Sequence, residues 1–304
     1  MREWLPAGEP SFIVFIHHGV AEHSERYDEL AKSLTAIGAR VVCQDHPGHG
    51  KTAEKQELPL GQFHFDNPMR EIIETAKGLI ENVLEEQPLP WVIMGHSMGT
   101  VIAQHTLQAL KGSHPLDSLK GVILSGPPAV PSAVERLAFR GLLGAMIMFN
   151  RGNSVVRALT FEKYDKQIKS LTGMDGGKNQ WLNSQADAVE AYNNDPLCGQ
   201  DMSFTFWRSA LIHIGELSSL DFTLPSRCNV LVIGGDMDAA TNFAKSLDVV
   251  RDRLKLHAGC KAIEQIIFPG ARHELIKERC KSEAIDQVVD WVERAVHGRK
   301  RSSL

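Results

Sequence analysis

The sequence predicts an α/β protein with a mostly parallel central sheet, flanking helices and a helical insertion between two parts of the sheet. Three observations support this prediction. Short apolar runs alternate with segments of helical periodicity over residues 1–126. The alternation stops over residues 127–222, which contain no convincing strand, and it resumes over residues 223–304. Strands that alternate with helices are typical of a parallel sheet covered on both faces.

Composition excludes several classes of protein. The 304 residues are 43% hydrophobic and 23% charged, as in ordinary globular proteins. A formal net charge of −4 argues against a nucleic-acid partner. The five cysteines are scattered, odd in number and without C-x-x-C spacing. This pattern favours reduced thiols over a disulfide framework or a zinc site, so we expect no bound metal.

The first part of the core, residues 1–126, contains four apolar runs that predict strands. Strands that are buried on both faces read as nearly continuous hydrophobic runs. The predicted strands are residues 12–16, 40–44, 91–94 and 121–125. The helical segments between them are residues 27–37, 68–84 and 101–110.

The second part of the core, residues 223–304, supplies two more strands and two helices. The predicted strands are residues 229–233 and 263–268, and the predicted helices are residues 243–254 and 282–296. Gly298 is placed to cap the last helix. Because ligands of open α/β sheets bind at the carboxyl ends of the strands, we expect residues 127–222 to form a lid over that edge.

Residues 91–100 have the pattern of a nucleophile elbow. Residues 95–99 read Gly-His-Ser-Met-Gly, a Gly-x-Ser-x-Gly motif that follows an apolar run and precedes a helical segment. Glycines at both ends let the strand and the helix approach closely, and the helix N-terminus would stabilise an oxyanion. The pentapeptide alone also suits an ordinary glycine-rich loop of a doubly wound sheet. Its setting between a strand and a helix favours Ser97 as a nucleophile.

A serine nucleophile needs a base that takes its proton and a carboxylate that orients the base. On this architecture they follow in the order serine, carboxylate, histidine, each on a loop after a strand. Asp236 and Asp238 follow the strand at residues 229–233, and His273 follows the strand at residues 263–268. We interpret His273 as the base. We favour Asp238 as the carboxylate and keep Asp236 as the alternative, because two side chains so spaced would point in different directions.

An oxyanion hole requires two backbone amides near the nucleophile. The amide of Met98, directly after Ser97, is one candidate. The loop after the first strand should supply the other, and we assign it to the amide of Val20. His17 and His18 precede this loop, and we expect one of them to support it by hydrogen bonding.

Several segments resemble the α/β-hydrolase fold and, within it, the monoacylglycerol lipase and lysophospholipase family. They are His-Gly-Val-Ala-Glu-His-Ser-Glu-Arg-Tyr at residues 18–27, Asp-His-Pro-Gly-His-Gly at 45–50, the elbow at 95–99, Asn-Asp-Pro-Leu at 194–197, and the loops at 235–238 and 270–273. They cover most of the core in the expected order. Thr100 stands where the family usually has a second glycine. The short N-terminus implies that the first antiparallel strands of the fold are missing or vestigial.

The resemblance implies a triad of Ser97, Asp238 and His273, with the amides of Val20 and Met98 as oxyanion donors and no cofactor. It implies hydrolysis of monoacylglycerols to fatty acid and glycerol through an acyl-serine intermediate. The alternatives are a lysophospholipase, a general carboxylesterase, an acyl-thioesterase or a peptidase of the same fold. From a different class, the chain could be a non-catalytic ligand-binding protein on a hydrolase scaffold.

The lid prediction includes an apolar segment, residues 137–149, flanked by arginines at positions 136, 140 and 151. Such a segment would either touch a membrane surface peripherally or pack on the core. No apolar stretch approaches the roughly 20 residues of a membrane span and no signal peptide is visible, so we expect a cytoplasmic protein. The terminal Ser-Ser-Leu is one residue from the Ser-Lys-Leu peroxisomal address, which makes a peroxisome-type organelle the alternative.

Overall fold

The computed structural model describes residues 1–132, 134–138, 141, 144, 161–220, 224–257 and 262–298. This part of the chain is built around a seven-stranded sheet with the strand order β1-β3-β2-β4-β5-β6-β7. The strands are β1 (Arg2–Trp4), β2 (Phe12–His17), β3 (Ala39–Cys43), β4 (Trp91–His96), β5 (Leu119–Ser125), β6 (Asn229–Gly235) and β7 (Ala262–Phe268). β1 pairs antiparallel with β3, and every other neighbouring pair is parallel. The predicted mostly parallel sheet is confirmed.

Helices flank this sheet. Those with bounds in the described residues are α1 (Asp28–Thr35), α2 (Gly50–Lys55), α3 (Pro68–Glu86), α4 (Met98–Ala109), α5 (Phe161–Thr172), α6 (Ala186–Asn194), α7 (Phe204–Glu216), α8 (Lys245–His257) and α9 (Lys281–His297). Gly298 ends α9 in the left-handed conformation at φ 68°, as its predicted role as a cap requires.

Alternate residues of the strands divide between two apolar cores. In β2, Ile13 and Phe15 belong to the core that includes residues of α3, α4 and α8. Val14 and Ile16 belong to the core that includes residues of α1 and α9. Successive side chains of a strand point to opposite faces, so a strand covered by helices on both sides has no solvent-facing position. All six residues of β2 are accordingly buried.

Three features near the element ends differ from the sequence prediction. The helix expected at residues 243–254 begins only at Lys245, because Asn242, Phe243 and Ala244 have positive φ angles of 52°, 56° and 64°. Such angles do not propagate a right-handed helix. The short helix α2 after the turn at residues 45–49 is not predicted from the sequence. β1 is an antiparallel strand of only three residues, which agrees with the expectation that the first antiparallel strands are missing or vestigial.

The chain between β5 and β6 is helical in its described part, with α5, α6 and α7. Trp181 and Tyr192 cluster with Ala239 and Ala240, which follow β6. Phe206 of α7 joins a cluster that includes residues of α3 and α4. This segment therefore packs onto the core. Its division from the core at residues 127 and 222 stays a prediction, and residues 139–140, 142–143 and 145–160, with most of the expected apolar lid segment, lie outside the described residues.

Within the described ranges, no helix combines the length and the apolar character needed to cross a membrane. No disulfide joins Cys43, Cys198, Cys228 and Cys280, the four cysteines in those ranges. The terminal tripeptide considered as a targeting signal lies outside the part of the chain that the structure describes.

Candidate active site

Ser97 lies at a tight turn between β4 and α4. Its backbone has φ 53° and ψ −120°, a strained conformation for a residue with a side chain. A Cβ atom on Gly95 would lie 2.2 Å from the carbonyl oxygen of Gly99, and one on Gly99 would lie 1.9 Å from the carbonyl oxygen of His17. Only glycine fits at these two positions, because the backbone of the strand and the backbone of the helix approach each other closely there, as the sequence predicts.

Hydrogen bonds hold this turn from both sides. The Ser97 amide donates to the carbonyl of Ser125 at the end of β5, over 2.9 Å. The amide and the hydroxyl of Thr100 donate to the carbonyl of Ser97 over 2.9 and 2.7 Å. The threonine that departs from the usual family glycine thus adds a bond to the turn. The strained serine backbone is fixed by the sheet on one side and by the helix on the other.

Asp238 and His273 form a buried pair. Asp238 Oδ2 lies 2.7 Å from His273 Nδ1, and the two side chains are 0% and 2% exposed. Asp238 Oδ1 accepts the amide of Ala240 over 2.9 Å, which fixes the carboxylate. Burial lowers the pKa of His273, but the charge of Asp238 and the hydrogen bond to it raise it more, so the net pKa lies above its ordinary value.

Asp236, the alternative carboxylate, points elsewhere. It is exposed, and its Oδ1 accepts the amide of Gly270 over 2.7 Å. Asp236 thus joins two loops at the surface. Of the two aspartates considered, Asp238 is the one that the structure brings to His273.

His273 and Ser97 line the same cavity. The Nε2 atom of His273 is buried and has no hydrogen-bond partner among the described residues. Its imidazole ring packs at 4.7 Å from the ring of His96 and 4.9 Å from that of Trp181, centroid to centroid. The ring is therefore fixed by Asp238 at one nitrogen and by neighbouring rings at its faces, while the other nitrogen remains available for a reacting group.

The loop after β2 lies directly against Ser97. A Cβ atom on Gly19 would lie 3.3 Å from Ser97 Cβ, and Val20 and Ser97 line a common cavity. The Gly19 amide already donates to Glu22 Oε1 over 2.5 Å. The predicted donor, the amide of Val20, is the next one along the chain, and Met98 supplies the first amide of α4, where helix amides lack intrahelical acceptors.

His18 supports this loop, as one of the two histidines was expected to do. Its Nε2 accepts the amide of His46 over 3.0 Å. An amide can only donate, so the proton of the ring is on Nδ1, which donates to the carbonyl of Gly19 over 2.8 Å. His18 is thus neutral and connects the loop after β2 to the loop after β3.

His18 belongs to a cluster of four fully buried histidines, with His17, His46 and His49. Neighbouring rings lie at centroid distances of 4.1 to 6.3 Å. Burial, followed by the mutual influence of the rings, lowers the pKa of His17 and of His49 to about 3. All four are neutral at pH 7, so the cluster packs as an aromatic core beneath the active-site loops.

A buried ion network borders the site. Arg26 donates from Nε to Glu22 Oε2 over 3.1 Å and from Nη2 to Glu274 Oε1 over 2.6 Å. Its guanidinium lies 4.8 Å from the ring centroid of Tyr192. Burial raises the pKa of Glu22, but His96 and Arg26 lower it to about 2. Arg26 therefore ties the loop after β2 to the loop that carries His273.

The ion pairs of Arg26 with Glu22 and Glu274 are not among the contacts that the sequence predicts. Glu22 and Arg26 belong to the segment that carries the resemblance, and Glu274 follows His273 directly. The signal was thus present in the motif. The contact itself joins residues 248 positions apart, and no local pattern indicates such a pairing.

Two cavities meet at Ser97. The larger, of about 470 Å³, is mostly apolar and is lined by residues of α4, α5, α7 and the loops after β2 and β5. The smaller, of about 20 Å³, lies on the side of His273 and is bordered by Glu22, Asn179 and Glu274. An ester held at Ser97 would therefore have a large apolar space on one side and, on the other, a small space that two carboxylates border.

One group of side chains in the described residues has ligand atoms close enough for a metal ion. These atoms of His23, Asp195 and Cys198 lie within 4.8 Å of one another. His23 Nε2 already pairs with Asp195 Oδ2 at 2.8 Å, and the Arg26 guanidinium lies 3.7 Å from Cys198 Sγ. The adjacent positive charge of Arg26 disfavours a cation there. The group instead joins the loop after β2 to the segment after α6.

The chain is similar to known hydrolases in both sequence and fold. The family model described as serine aminopeptidase, S33, matches residues 8–280. The human monoglyceride lipase is 28% identical over 197 residues, which are 64% of this chain and 55% of that protein. A monoacylglycerol lipase of Mycolicibacterium smegmatis is 25% identical over 295 residues, which are 95% of this chain and 90% of that protein. The chain thus aligns with only about half of the human protein.

Solved structures show the same fold. A thermostable carboxyl esterase from Bacillus coagulans has a TM-score of 0.81 at 23% identity, over 97% of this chain and 93% of that one. A monoacylglycerol lipase from Paleococcus ferrophilus has a TM-score of 0.64 at 21% identity, over 97% and 98%. With a family model that covers most of its length, a matching fold and a nucleophile-elbow turn, this chain belongs to the serine aminopeptidase S33 family of α/β-hydrolases.

Proposed function

We propose that the chain is a serine ester hydrolase that cleaves monoacylglycerols to fatty acid and glycerol through an acyl-Ser97 intermediate. The observation that carries this proposal is the buried Asp238–His273 pair beside Ser97, where a large apolar cavity meets a small cavity that Glu22 and Glu274 border. Relatives that act on monoacylglycerols by name lend it support.

In the first step, Nε2 of His273 takes the proton of the Ser97 hydroxyl as the oxygen attacks the ester carbonyl. Asp238 holds the imidazole with Nδ1 protonated and stabilises the imidazolium that forms. The carbonyl oxygen becomes negatively charged and accepts hydrogen bonds from the amides of Val20 and Met98. Positive potential at the N-terminus of α4 adds to this stabilisation.

In the second step, the imidazolium of His273 gives its proton to the departing alcohol, and Ser97 is left acylated. Water then enters, His273 takes one of its protons, and the oxygen attacks the acyl-Ser97 carbonyl. The fatty acid leaves as the Ser97 hydroxyl recovers its proton from His273. No step needs a cofactor.

The larger cavity favours an acyl chain as the group bound on one side of the ester. Its wall includes Met69, Val101, Phe206, Ala210 and Ile214. At about 470 Å³ it falls within the range of small-molecule sites, which are mostly apolar. A long hydrocarbon chain matches both the size and the polarity of this space.

The smaller cavity favours a small neutral alcohol on the other side. At about 20 Å³ it has room for about one or two water-sized groups, where roughly 10–15 Å³ holds one water. Glu22 and Glu274 border it, and a single guanidinium lies between them. A phosphate-bearing head group is larger and carries charge of the same sign as these carboxylates. One or two hydroxyl groups of glycerol therefore suit the cavity better than the head group of a lysophospholipid, the alternative substrate.

Residues 127–222 are proposed to act as the lid that completes the acyl-binding cavity. Residues of α5 and α7 already line its wall. Peripheral contact of the lid with a membrane belongs to the same proposal, because a monoacylglycerol partitions into bilayers.

Release of fatty acid from a long-chain monoacylglycerol tests the function. Ser97→Ala and Asp238→Asn should each lower kcat by about 10⁴-fold or more. Asp236→Asn is the matched control, since Asp236 lies at the surface on the same loop, and it should retain activity. Equal loss in Asp236→Asn and Asp238→Asn would contradict the assignment of the carboxylate.

Comparison substrates separate the alternatives. A lysophospholipid, a short nitrophenyl ester and an amino-acid nitroanilide report lysophospholipase, general esterase and peptidase activity, respectively. Turnover of the short ester alone would contradict the monoacylglycerol assignment. If no substrate reacts and a phosphonate probe does not label Ser97, the non-catalytic binding protein replaces the enzyme as the better interpretation.

A further inference from the structure

Glu274 carries a buried carboxylate oxygen that the chain leaves without a partner. The residue is 5% exposed. Its Oε1 accepts 2.6 Å from Arg26, while its Oε2 has no hydrogen-bond partner among the described residues. Buried polar atoms are nearly always hydrogen bonded, and a buried acceptor left alone destabilises the fold. An exception next to a proposed nucleophile indicates a contact that a ligand completes.

The position of this oxygen relates it to the reaction. Glu274 borders the small cavity that Ser97 and His273 also line. It has no place in the proton transfers assigned to Ser97, His273 and Asp238. The side of the site on which the alcohol part of the ester would lie is therefore bordered by a carboxylate that the proposed mechanism does not use.

The carboxylate cannot turn freely to satisfy Oε2 elsewhere. Arg26, which holds Oε1, is itself bonded to Glu22 and lies over the ring of Tyr192. The amide of Glu274 donates to the carbonyl of Leu182 over 2.9 Å, which fixes the backbone. Glu22 is likewise occupied, since its Oε1 accepts the amide of Gly19 and the hydroxyl of Tyr27. Glu274 Oε2 is thus a preorganised acceptor, of the kind that discriminates between ligands at low entropic cost.

We infer that Glu274 accepts a hydrogen bond from a hydroxyl group of the alcohol part of the ester, and that it is a specificity-determining residue. This inference rests on the proposed function. The hydroxyl donates its proton to Oε2 of the carboxylate that pairs with Arg26, so an amide NH₂ at this position would remove the acceptor. The small cavity has room for such a group. Esters whose alcohol part has no hydroxyl leave Oε2 unpaired and react less efficiently.

Glu274→Gln is the test. The amide side chain has the same shape and can keep the contact with Arg26, but it presents an NH₂ donor where Oε2 was. We would measure kcat/KM for a monoacylglycerol and for the methyl ester of the same fatty acid. The two substrates share the acyl chain and differ in the hydroxyl groups of the alcohol. The ratio of the two kcat/KM values should fall roughly 10- to 100-fold in Glu274→Gln, as expected for loss of a hydrogen bond to a charged group.

Glu278→Gln is the matched control. Glu278 lies four positions away and is 2% exposed, but both of its oxygens accept hydrogen bonds, from Ser184, Arg272 and Arg279. Its substitution should leave the ratio for the two esters unchanged, even if it lowers stability. Labelling of Ser97 by a phosphonate probe reports whether each variant is folded.

The outcomes separate this inference from the proposed function. A fall in the ratio for Glu274→Gln alone supports the inference. An unchanged ratio overturns the inference, whether activity on both esters is retained or falls equally. An equal fall would show that Glu274 has only a structural role. A wild-type protein that cleaves the methyl ester as well as the monoacylglycerol contradicts the inference but leaves the esterase activity standing. A wild-type protein that cleaves neither overturns both.

Discussion

The pKa of His273 is set by opposing effects of burial and of neighbouring carboxylates. Burial lowers its pKa, whereas Asp238, Glu274 and Glu22 raise it, and the net pKa lies above the ordinary value of 6.5. The neutral imidazole is the form that can take the proton of Ser97. The carboxylates therefore stabilise the imidazolium that the reaction forms and shift the pH range in which the enzyme is active.

The expected pH profile follows from this sign. As the pH falls through the raised pKa, His273 becomes protonated and kcat/KM for a non-ionising ester should fall, with a midpoint above 6.5. Asp238→Asn removes the largest influence that raises the pKa of His273. The residual activity should therefore fall with a midpoint at a lower pH than that of the wild type. Initial rates from pH 5 to 9 measure both profiles. A wild-type midpoint at or below 6.5 would contradict the prediction.

Single residues also show what local sequence can predict of the site. Ser97 is predictable because a strand, a turn with two glycines and a helix are consecutive in the chain. The position of His273 after the last strand is predictable from topology. The choice between Asp236 and Asp238 needs side-chain directions, which a two-residue separation leaves open. Contacts of Arg26 with Glu274 depend on the whole fold, since 248 residues separate them.

At the scale of elements, α7 forms one wall of the apolar cavity through Phe206, Ala210 and Ile214. Ala210 is 4% exposed and has the smallest side chain of the three. A larger residue there would occupy part of the space assigned to the acyl chain. If the cavity holds the acyl chain as proposed, α7 limits the length of chain that fits.

Ala210→Phe should shift the preference for chain length. We expect kcat/KM for long-chain esters to fall about tenfold or more, since overpacking of a filled pocket costs roughly 1–3 kcal/mol. Esters of two to four carbons, which do not reach α7, should be affected much less. A series of nitrophenyl esters of increasing acyl length measures this change. Equal losses along the whole series would show that the cavity does not hold the acyl chain.

Elements differ in how well the sequence predicts them. The parallel strands are apolar throughout because helices cover both faces, and this makes β2, β4 and β5 visible as runs. β1 has three residues, none of which is buried, so no such run marks it. It forms only because β3 offers hydrogen bonds some forty residues further along the chain. The helix α2 follows a turn rich in glycine and histidine, which hides its start.

At the scale of the whole molecule, buried neutral histidines make stability depend on pH. Burial lowers the pKa of His17 and His49 to about 3, and that of His96 and His105 to about 4. In the unfolded chain these groups titrate near 6.5. Between these values the unfolded state binds protons that the folded state does not, so the free energy of unfolding falls as the pH is lowered. His273, with its raised pKa, contributes with the opposite sign and only above 6.5, where the folded state still binds the proton that the unfolded state has lost.

We expect the free energy of unfolding to fall by about 1.4 kcal/mol per pH unit for each such histidine once the pH is below 6.5. Urea unfolding at intervals from pH 7 to 5 measures the slope in a range above most carboxylate pKa values. His49→Gln keeps a donor for the carbonyl of Pro47 and removes one titrating group. The pH dependence of its free energy of unfolding should therefore be shallower by about 1.4 kcal/mol per pH unit. A free energy of unfolding that is constant over this range would contradict the prediction.

The contact of Gly99 with the carbonyl of His17 leaves no room for a side chain between the start of α4 and the end of β2. The start of the helix after Ser97 and the end of the strand that leads to the Val20 loop are consequently held in close backbone contact. The sheet thus sets the position of the proposed nucleophile, whereas α5 and α7, which lie between β5 and β6, contribute walls of the larger cavity.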